Sequence, residues 1–268
     1  MQDVWSIVDE LDGAMQERLA DVLETRGADP QQQEMRRVFL DDIGIPAQAR
    51  VLDVGCGTAV LTRVLARWPG VGEVVGVDLA PSLLDKGRVL SGGLANISFQ
   101  QADSRELPFG DATFDVAIFD STLSHVPGPA RAIAEAFRVL RPQGWLATFD
   151  GDYATTTVGL GDHDPLQACV DVMMANSVND RWLMRRLPTL IRDAGFEDVH
   201  FRSHGFVETT EGGYMLTVVD RGADILCGFG QIGDDMAAAV KAEARRRVAM
   251  GTFFGHIAYA SLTARKPG

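Results

Sequence analysis

Three carboxylates close three successive apolar runs of this chain. Asp53 lies in "VLDVG", Asp78 ends "VVGVD" and Asp103 ends "SFQQAD". A carboxylate accepts hydrogen bonds and donates none, with room for several donors. After a second strand it suits the diol of a ribose. After a third it can accept from an exocyclic amine such as that of adenine. Aspartate also caps turns, but three acids in step with Gly55 and Gly57 ask for more than turn chemistry. Those glycines sit in "VLDVGCGTAVLTRVLA", where an apolar run passes into helical periodicity. Such a turn brings bare backbone amides near a bound group. A dinucleotide loop G-x-G-x-x-G would place its last glycine at Val60. A branched side chain there disfavours close passage of a pyrophosphate. The loop therefore suits a nucleoside ligand without a diphosphate.

The elements that hold these residues follow from periodicity. Strand-like runs are "RVLDVG", "EVVGVDL", "ISFQQAD", "FDVAIFD", "GWLATFD", "EDVHFRSHGF" and "FFGHIAYASLTAR". Between them lie the helix-like runs "AVLTRVLARW", "SLLDKGRVL", "ARAIAEAFRVL" and "RRLPTLIRDAGF". Alternation of this kind predicts an α/β fold: a doubly wound, mostly parallel sheet of seven strands with helices on both faces. The last strand is expected to run antiparallel. One domain over residues 1–268 is expected, with a helical amino-terminal cover (1–45), a core (46–207), a helical insertion or lid (208–251) and the last strand (252–268). A second long stretch, Gly151 to Asp180, would form a side wall. Trp5, Met173, Met174, Trp182, Tyr214, Met215 and Phe229 are then expected to line an apolar chamber.

Composition narrows the partners. The net charge of −12 argues against a nucleic-acid substrate and against an anionic membrane surface. No segment is long and apolar enough to span a bilayer, and the acidic start "MQDVWSIVDELDG" is unlike a basic secretory signal, so a cytoplasmic protein is expected. Cys56, Cys169 and Cys227 form no C-x-x-C pair, which points to free thiols and no metal. The pairs Asp150/Asp152 and Asp162/Asp164 offer hard oxygen ligands, yet turn and cap chemistry accounts for them too.

"VLDVGCGTAVLTRVLA", "VVGVDLAPSLLDKGR", "ISFQQADSRELPFGDATFDVAI" and "DSTLSHVPGPARAIAEAFRVLRPQGWLA" resemble the ordered motifs of class I S-adenosylmethionine-dependent methyltransferases. The likeness is to small-molecule enzymes of the ubiquinone/menaquinone-biosynthesis type, and it is dense from about Arg37 to Phe149. It implies a Rossmann-like methyltransferase fold and S-adenosyl-L-methionine as cofactor. On that likeness Asp53, Gly55 and Gly57 approach the methionine part and Asp120 its amino group. Asp78 takes the ribose hydroxyls, Asp103 the adenine amine with Ser104 beside it, and Leu79 flanks the adenine. Arg36 or Arg37 would meet the cofactor carboxylate, with Arg37 the expected partner. The family commonly has glycine where this chain has Ala59; with no diphosphate to admit, a methyl group there is expected to cost little.

Methyl transfer needs alignment and exclusion of water, and a base where the acceptor is a hydroxyl or ammonium. The candidates are His125, His163, His204, His256, Tyr153 and Tyr214. His125 in "LSHVPGP" follows the fourth strand and lies nearest the expected methyl position. The acceptor is expected to be small and apolar or aromatic. Two rivals remain: an enzyme that binds the same cofactor without methylating, as in ring formation, and a nicotinamide-dependent reductase. Val60 and Asp103 weigh against the reductase.

Overall fold

Continuous apolar runs build the centre of the sheet. In this computed structural model, which describes residues 3–209 and 212–268, the chain opens with a 3-10 turn over Val4–Glu10. Helices α1 (Gly13–Ala28) and α2 (Pro30–Asp41) follow, then β1 (Ala49–Val54), α3 (Val60–Leu65) and β2 (Val71–Asp78). Next come α4 (Pro81–Leu90), β3 (Ile97–Gln101), β4 (Phe114–Asp120), α5 (Pro129–Val139) and β5 (Leu140–Thr157). The chain ends through α6 (Pro165–Ser177), α7 (Leu183–Asp193), β6 (Glu197–Glu208), α8 (Tyr214–Gly228), α9 (Asp234–Ala249) and β7 (Gly255–Arg265). The first two residues of the expected cover, and residues 210–211 of the expected insertion, lie outside the described residues.

The strands form one seven-stranded sheet in the order β3-β2-β1-β4-β5-β7-β6. Pairs β2–β3, β1–β2, β1–β4 and β4–β5 are parallel. β7 runs antiparallel to both β5 and β6. Both the seven strands and the reversed last strand are therefore as the sequence predicts. Val51, Leu52, Val54 and Val116 to Phe119 are buried on both faces of the sheet, as parallel strands covered by helices must be. One core layer joins that sheet to α2, α3, α6 and α8; the other joins it to α5 and α7. The order reverses between β1 and β4, and at such a point the strand ends diverge to leave a crevice.

Two features depart from expectation. β5 runs well past "GWLATFD" and carries Tyr153 beyond its regular pairing with β7. The stretch after it holds α6, which packs on α8. Met173, Met174, Tyr214 and Met215 meet at this contact and are buried in the core. Trp182 and Phe229 face solvent. Of the seven residues expected to line a chamber, only Trp5 reaches the crevice described below. The correction has a simple cause: α6 and α8 bury their apolar faces against each other and the sheet, which leaves none to turn toward a ligand.

Candidate active site

A cavity of about 460 Å³ opens at the carboxyl ends of β1, β2 and β4. Asp53, Gly55, Gly57, Asp78, Leu79, Asp103, Ser104, Asp120 and His125 all line it. Arg37 does not. The helical period of α2 turns Arg36 inward and Arg37 outward, where Arg37 pairs with Glu34 (2.7 Å) and Asp41 (2.6 Å) on an exposed face. Arg36 is buried and donates from Nε to Asp120 Oδ2 (2.6 Å). The cation that does line the cavity beside the glycine loop is Arg26 of α1. Sequence reasoning passed over it because "RGADP" reads only as a helix break.

The glycine loop works differently from the expected cradle of free amides. The amides of Gly55 and Cys56 donate to Val77 O (2.8 and 2.9 Å), and that of Gly57 donates to Asp78 Oδ2 (2.8 Å). They clamp the end of β2 and fix its carboxylate instead of facing a ligand. What the glycines supply is conformation and room. Gly55 has φ +74°, and a Cβ there would fall 2.3 Å from the Thr122 side chain. At Gly57 a Cβ would meet Leu23 of α1 at 2.9 Å, so the helix lies directly on the loop. Ala59 adopts φ +69° at the start of α3. Its methyl group is buried and points away from the cavity, toward the Cβ position of Gly87. Its cost is backbone strain of about 1–2 kcal/mol and not lost ligand space.

Each carboxylate has its own electrostatic setting. Burial pushes Asp53 up to about 7, opposed by the bond from Thr62 Oγ1 (2.6 Å) and reinforced by the charges of Asp120 and Asp78. Burial also raises Asp78, offset by the amides of Ala80 and Gly57. One oxygen of Asp78 takes each amide, which leaves a lone pair on each for a diol. Asp103 is held below the usual carboxylate range by the Arg105 side chain, which donates to both its oxygens. An adenine amine there would share the carboxylate with Arg105. Asp120 ends β4 between Arg36 and the Ser121 hydroxyl. Ser121 itself has φ +55°, a strained backbone at the rim of the site.

The roof comes from the amino terminus. Asp3, Trp5, Leu23 and Arg26 line the cavity from above. His125 Nδ1 donates to Asp3 Oδ2 (2.7 Å), and the Asn179 amide donates to the same oxygen (2.9 Å). With its proton on Nδ1, a neutral His125 presents Nε2 as an acceptor. Trp5 and Tyr153 each meet the imidazole edge-on at 6.0 Å. Of the other candidate bases, Tyr153 touches His125 but does not line the cavity, His204 bonds Ser261, and His256 stacks on Phe254. Asp150 accepts from Ser124, Asp152 pairs with Arg185, and Asp164 caps α6 and pairs with Arg247. No group of residues placed to hold a metal occurs among the described residues.

Comparison with known proteins bears on the family and the fold. A family model described as a methyltransferase domain matches residues 52–148. Demethylmenaquinone methyltransferase of Staphylococcus aureus is 32% identical over 124 residues, 46% of this chain and 52% of the relative. This chain spans about half the length of the curated relatives it matches. BH2331 of Bacillus halodurans superposes with a TM-score of 0.60 at 21% identity, over 87% of this chain and 98% of that one. The 4+2 cyclase SpnF superposes with a TM-score of 0.55 at 24% identity, over 90% and 84%. The two structural likenesses speak to the fold alone.

Proposed function

We propose, from the match of residues 52–148 to a methyltransferase domain and the Rossmann-like sheet that carries it, that this chain transfers a methyl group from S-adenosyl-L-methionine to a small organic acceptor. The observation that carries the reading is the convergence of Asp53, Asp78, Asp103 and Asp120 on one cavity beside a glycine turn. Asp78 receives the ribose diol, and Asp103 with Ser104 meets the adenine edge. Leu79, 46% exposed on the cavity wall, covers the base. Asp53 and Asp120 face the ammonium end. Arg26 takes the carboxylate for which the sequence suggests Arg37.

When bound, the cofactor supplies a methyl carbon already activated by its sulfonium. The residues of this chain then have three tasks. α1 and the amino-terminal turn keep water out, the sheet edge aligns the acceptor in line with the methyl–sulfur bond, and His125 Nε2 accepts the acceptor proton. The test is incubation with methyl-labelled cofactor and candidate acceptors. Label appearing in product, with S-adenosylhomocysteine formed in equal amount, supports the reading. Tight cofactor binding with an unlabelled, cyclised product would replace it with the ring-forming alternative.

A further inference from the structure

Beneath His125 lies a buried carboxylate that does not itself line the cavity. Asp150 of β5 is 2% exposed. It accepts three hydrogen bonds: Oδ2 from the Ser124 amide (3.1 Å), and Oδ1 from the Ser124 hydroxyl (3.1 Å) and the Gly151 amide (2.8 Å). Three converging donors suit a carboxylate, which accepts at both oxygens and donates nothing. An asparagine in its place would turn an N–H group toward one of the two backbone amides. The Gly151 bond is local, but the Ser124 bonds reach across to a different strand end. Ser124 is fully buried, and its carbonyl takes the Asp180 amide (2.9 Å). The residue held on every side is therefore the one just before His125, in the short 3-10 turn Leu123–His125.

What this anchors is the imidazole. The His125 amide stays on Thr122 O (2.9 Å), and the ring reaches Asp3 Oδ2 at 2.7 Å. That second bond runs from the turn to the amino terminus, so it keeps its length only while the backbone below is held. Tyr153, three residues further along β5, meets the same ring edge-on. Asp150 also feels the charge of the ring. Burial raises its carboxyl above the usual carboxylate range, opposed first by a protonated His125 and then by the Ser124 and Gly151 bonds. The effect is mutual, since charge on either group favours charge on the other. The imidazole thus has one carboxylate bonded above it and a second acting on it from below.

We propose that Asp150 is a positioning residue for His125, holding the turn beneath it through Ser124 so that Nε2 is presented to the methyl acceptor. The proton that Nε2 takes leaves the acceptor heteroatom as its lone pair bonds the methyl carbon, and the carbon–sulfur bonding pair stays on sulfur. The new charge on the ring then lies between Asp3 and Asp150 and is met by groups already in place. The use of the base rests on the methyl-transfer reading; control of the ring by Asp150 does not.

Nitrogen NMR of the histidine rings in the full chain reads this control, with and without S-adenosylhomocysteine, on the alkaline side of the ring titration. His125→Gln identifies the signal. The unaltered chain is expected to show one tautomer at His125, protonated on Nδ1 with Nε2 bare. In Asp150→Asn the preference for that tautomer should fall about threefold or more, the worth of one weakened hydrogen bond, while S-adenosylhomocysteine affinity stays unchanged. Ser124→Ala removes the hydroxyl bond and leaves the amide bond, so it should move the ring the same way by less. Asp152→Asn, two residues on and paired with Arg185, should not move it. An unaltered ring in Asp150→Asn overturns the proposal, and a lowered melting temperature beside it marks Asp150 as a turn cap. Where Asp150→Asn fails to fold, Ser124→Ala decides, and an unaltered ring there overturns the proposal. An equal change in Asp152→Asn overturns it too. A chain with no affinity for S-adenosylhomocysteine would sink the methyl-transfer reading, and the ring in the ligand-free chain would still decide the role of Asp150.

Discussion

Asp53 is a carboxylate in a place that disfavours its charge. Its folded-state value of about 7 stands above the ordinary 3.8, so the folded chain holds a proton that the unfolded chain has released over that interval. Stability therefore falls as pH rises from about 4 to about 7. Asp53→Asn should flatten that slope in urea melts. A bound ammonium beside Asp53 favours the ionised form, so S-adenosylhomocysteine binding near neutral pH is expected to release protons. Calorimetry in two buffers of different ionisation heat would read this directly, and Asp53→Asn should abolish most of the difference. Asp78→Ala should weaken the same ligand by about 1–3 kcal/mol, since two hydroxyls lose a charged acceptor. Unchanged affinity would remove Asp78 from the site. Asp53, Asp78 and Asp103 were legible because each closes a strand, and position along a strand can be read locally. Arg26 was not, because its place above the glycine loop depends on how α1 docks, which no local pattern records.

At the scale of elements, the turn into α3 shows a conflict between backbone and side chain. Ala59 holds a left-handed φ that glycine adopts freely. Ala59→Gly should stabilise the chain by up to about 1 kcal/mol, the relief of strain exceeding the added flexibility of the unfolded state. Ligand affinity should not change, because the methyl group does not face the cavity. α8 makes the opposite case. Its apolar residues suggested a lid from sequence, since an amphipathic helix in an insertion has the same pattern whether it covers a ligand or a neighbouring helix. Met215 is 0% exposed in the core layer with α6. Replacing Tyr214 and Met215 together with alanine should therefore cost several kcal/mol, about 2–5 for the methionine alone. A denaturant midpoint shifted by less than the equivalent of about 1 kcal/mol would return α8 to the role of lid. The strands were the most legible elements, being continuous apolar runs between turns. β5 outran its run because Gly151, Asp152 and, after an irregular stretch, Thr157 pair with β7, a partner distant in sequence.

On the scale of the whole molecule, strand order and the reversed β7 put the crevice between β1 and β4, and a separate part of the chain closes it. Of the two covers expected from sequence, the amino terminus and the late insertion, the amino-terminal turn and α1 line the cavity and the insertion does not. The turn is held by Asp9, which accepts from the Ser82 amide, by packing of Val8 against Leu83, and by Asp3. Asp3 joins the turn to His125 after β4 and to Asn179 before α7, and Trp5 of the same turn meets the His125 ring. Opening this turn for ligand exchange would break the two Asp3 bonds, so residence time is expected to follow how readily the turn unlatches, separately from the rate of chemistry. Asp3→Ala should accelerate S-adenosylhomocysteine dissociation in stopped-flow experiments more than it changes the rate of a single turnover. One of the residues that hold the roof down also orients the imidazole beneath it. The same unlatching that frees the product therefore frees His125 to turn, and the base is held in position only while the chamber is shut.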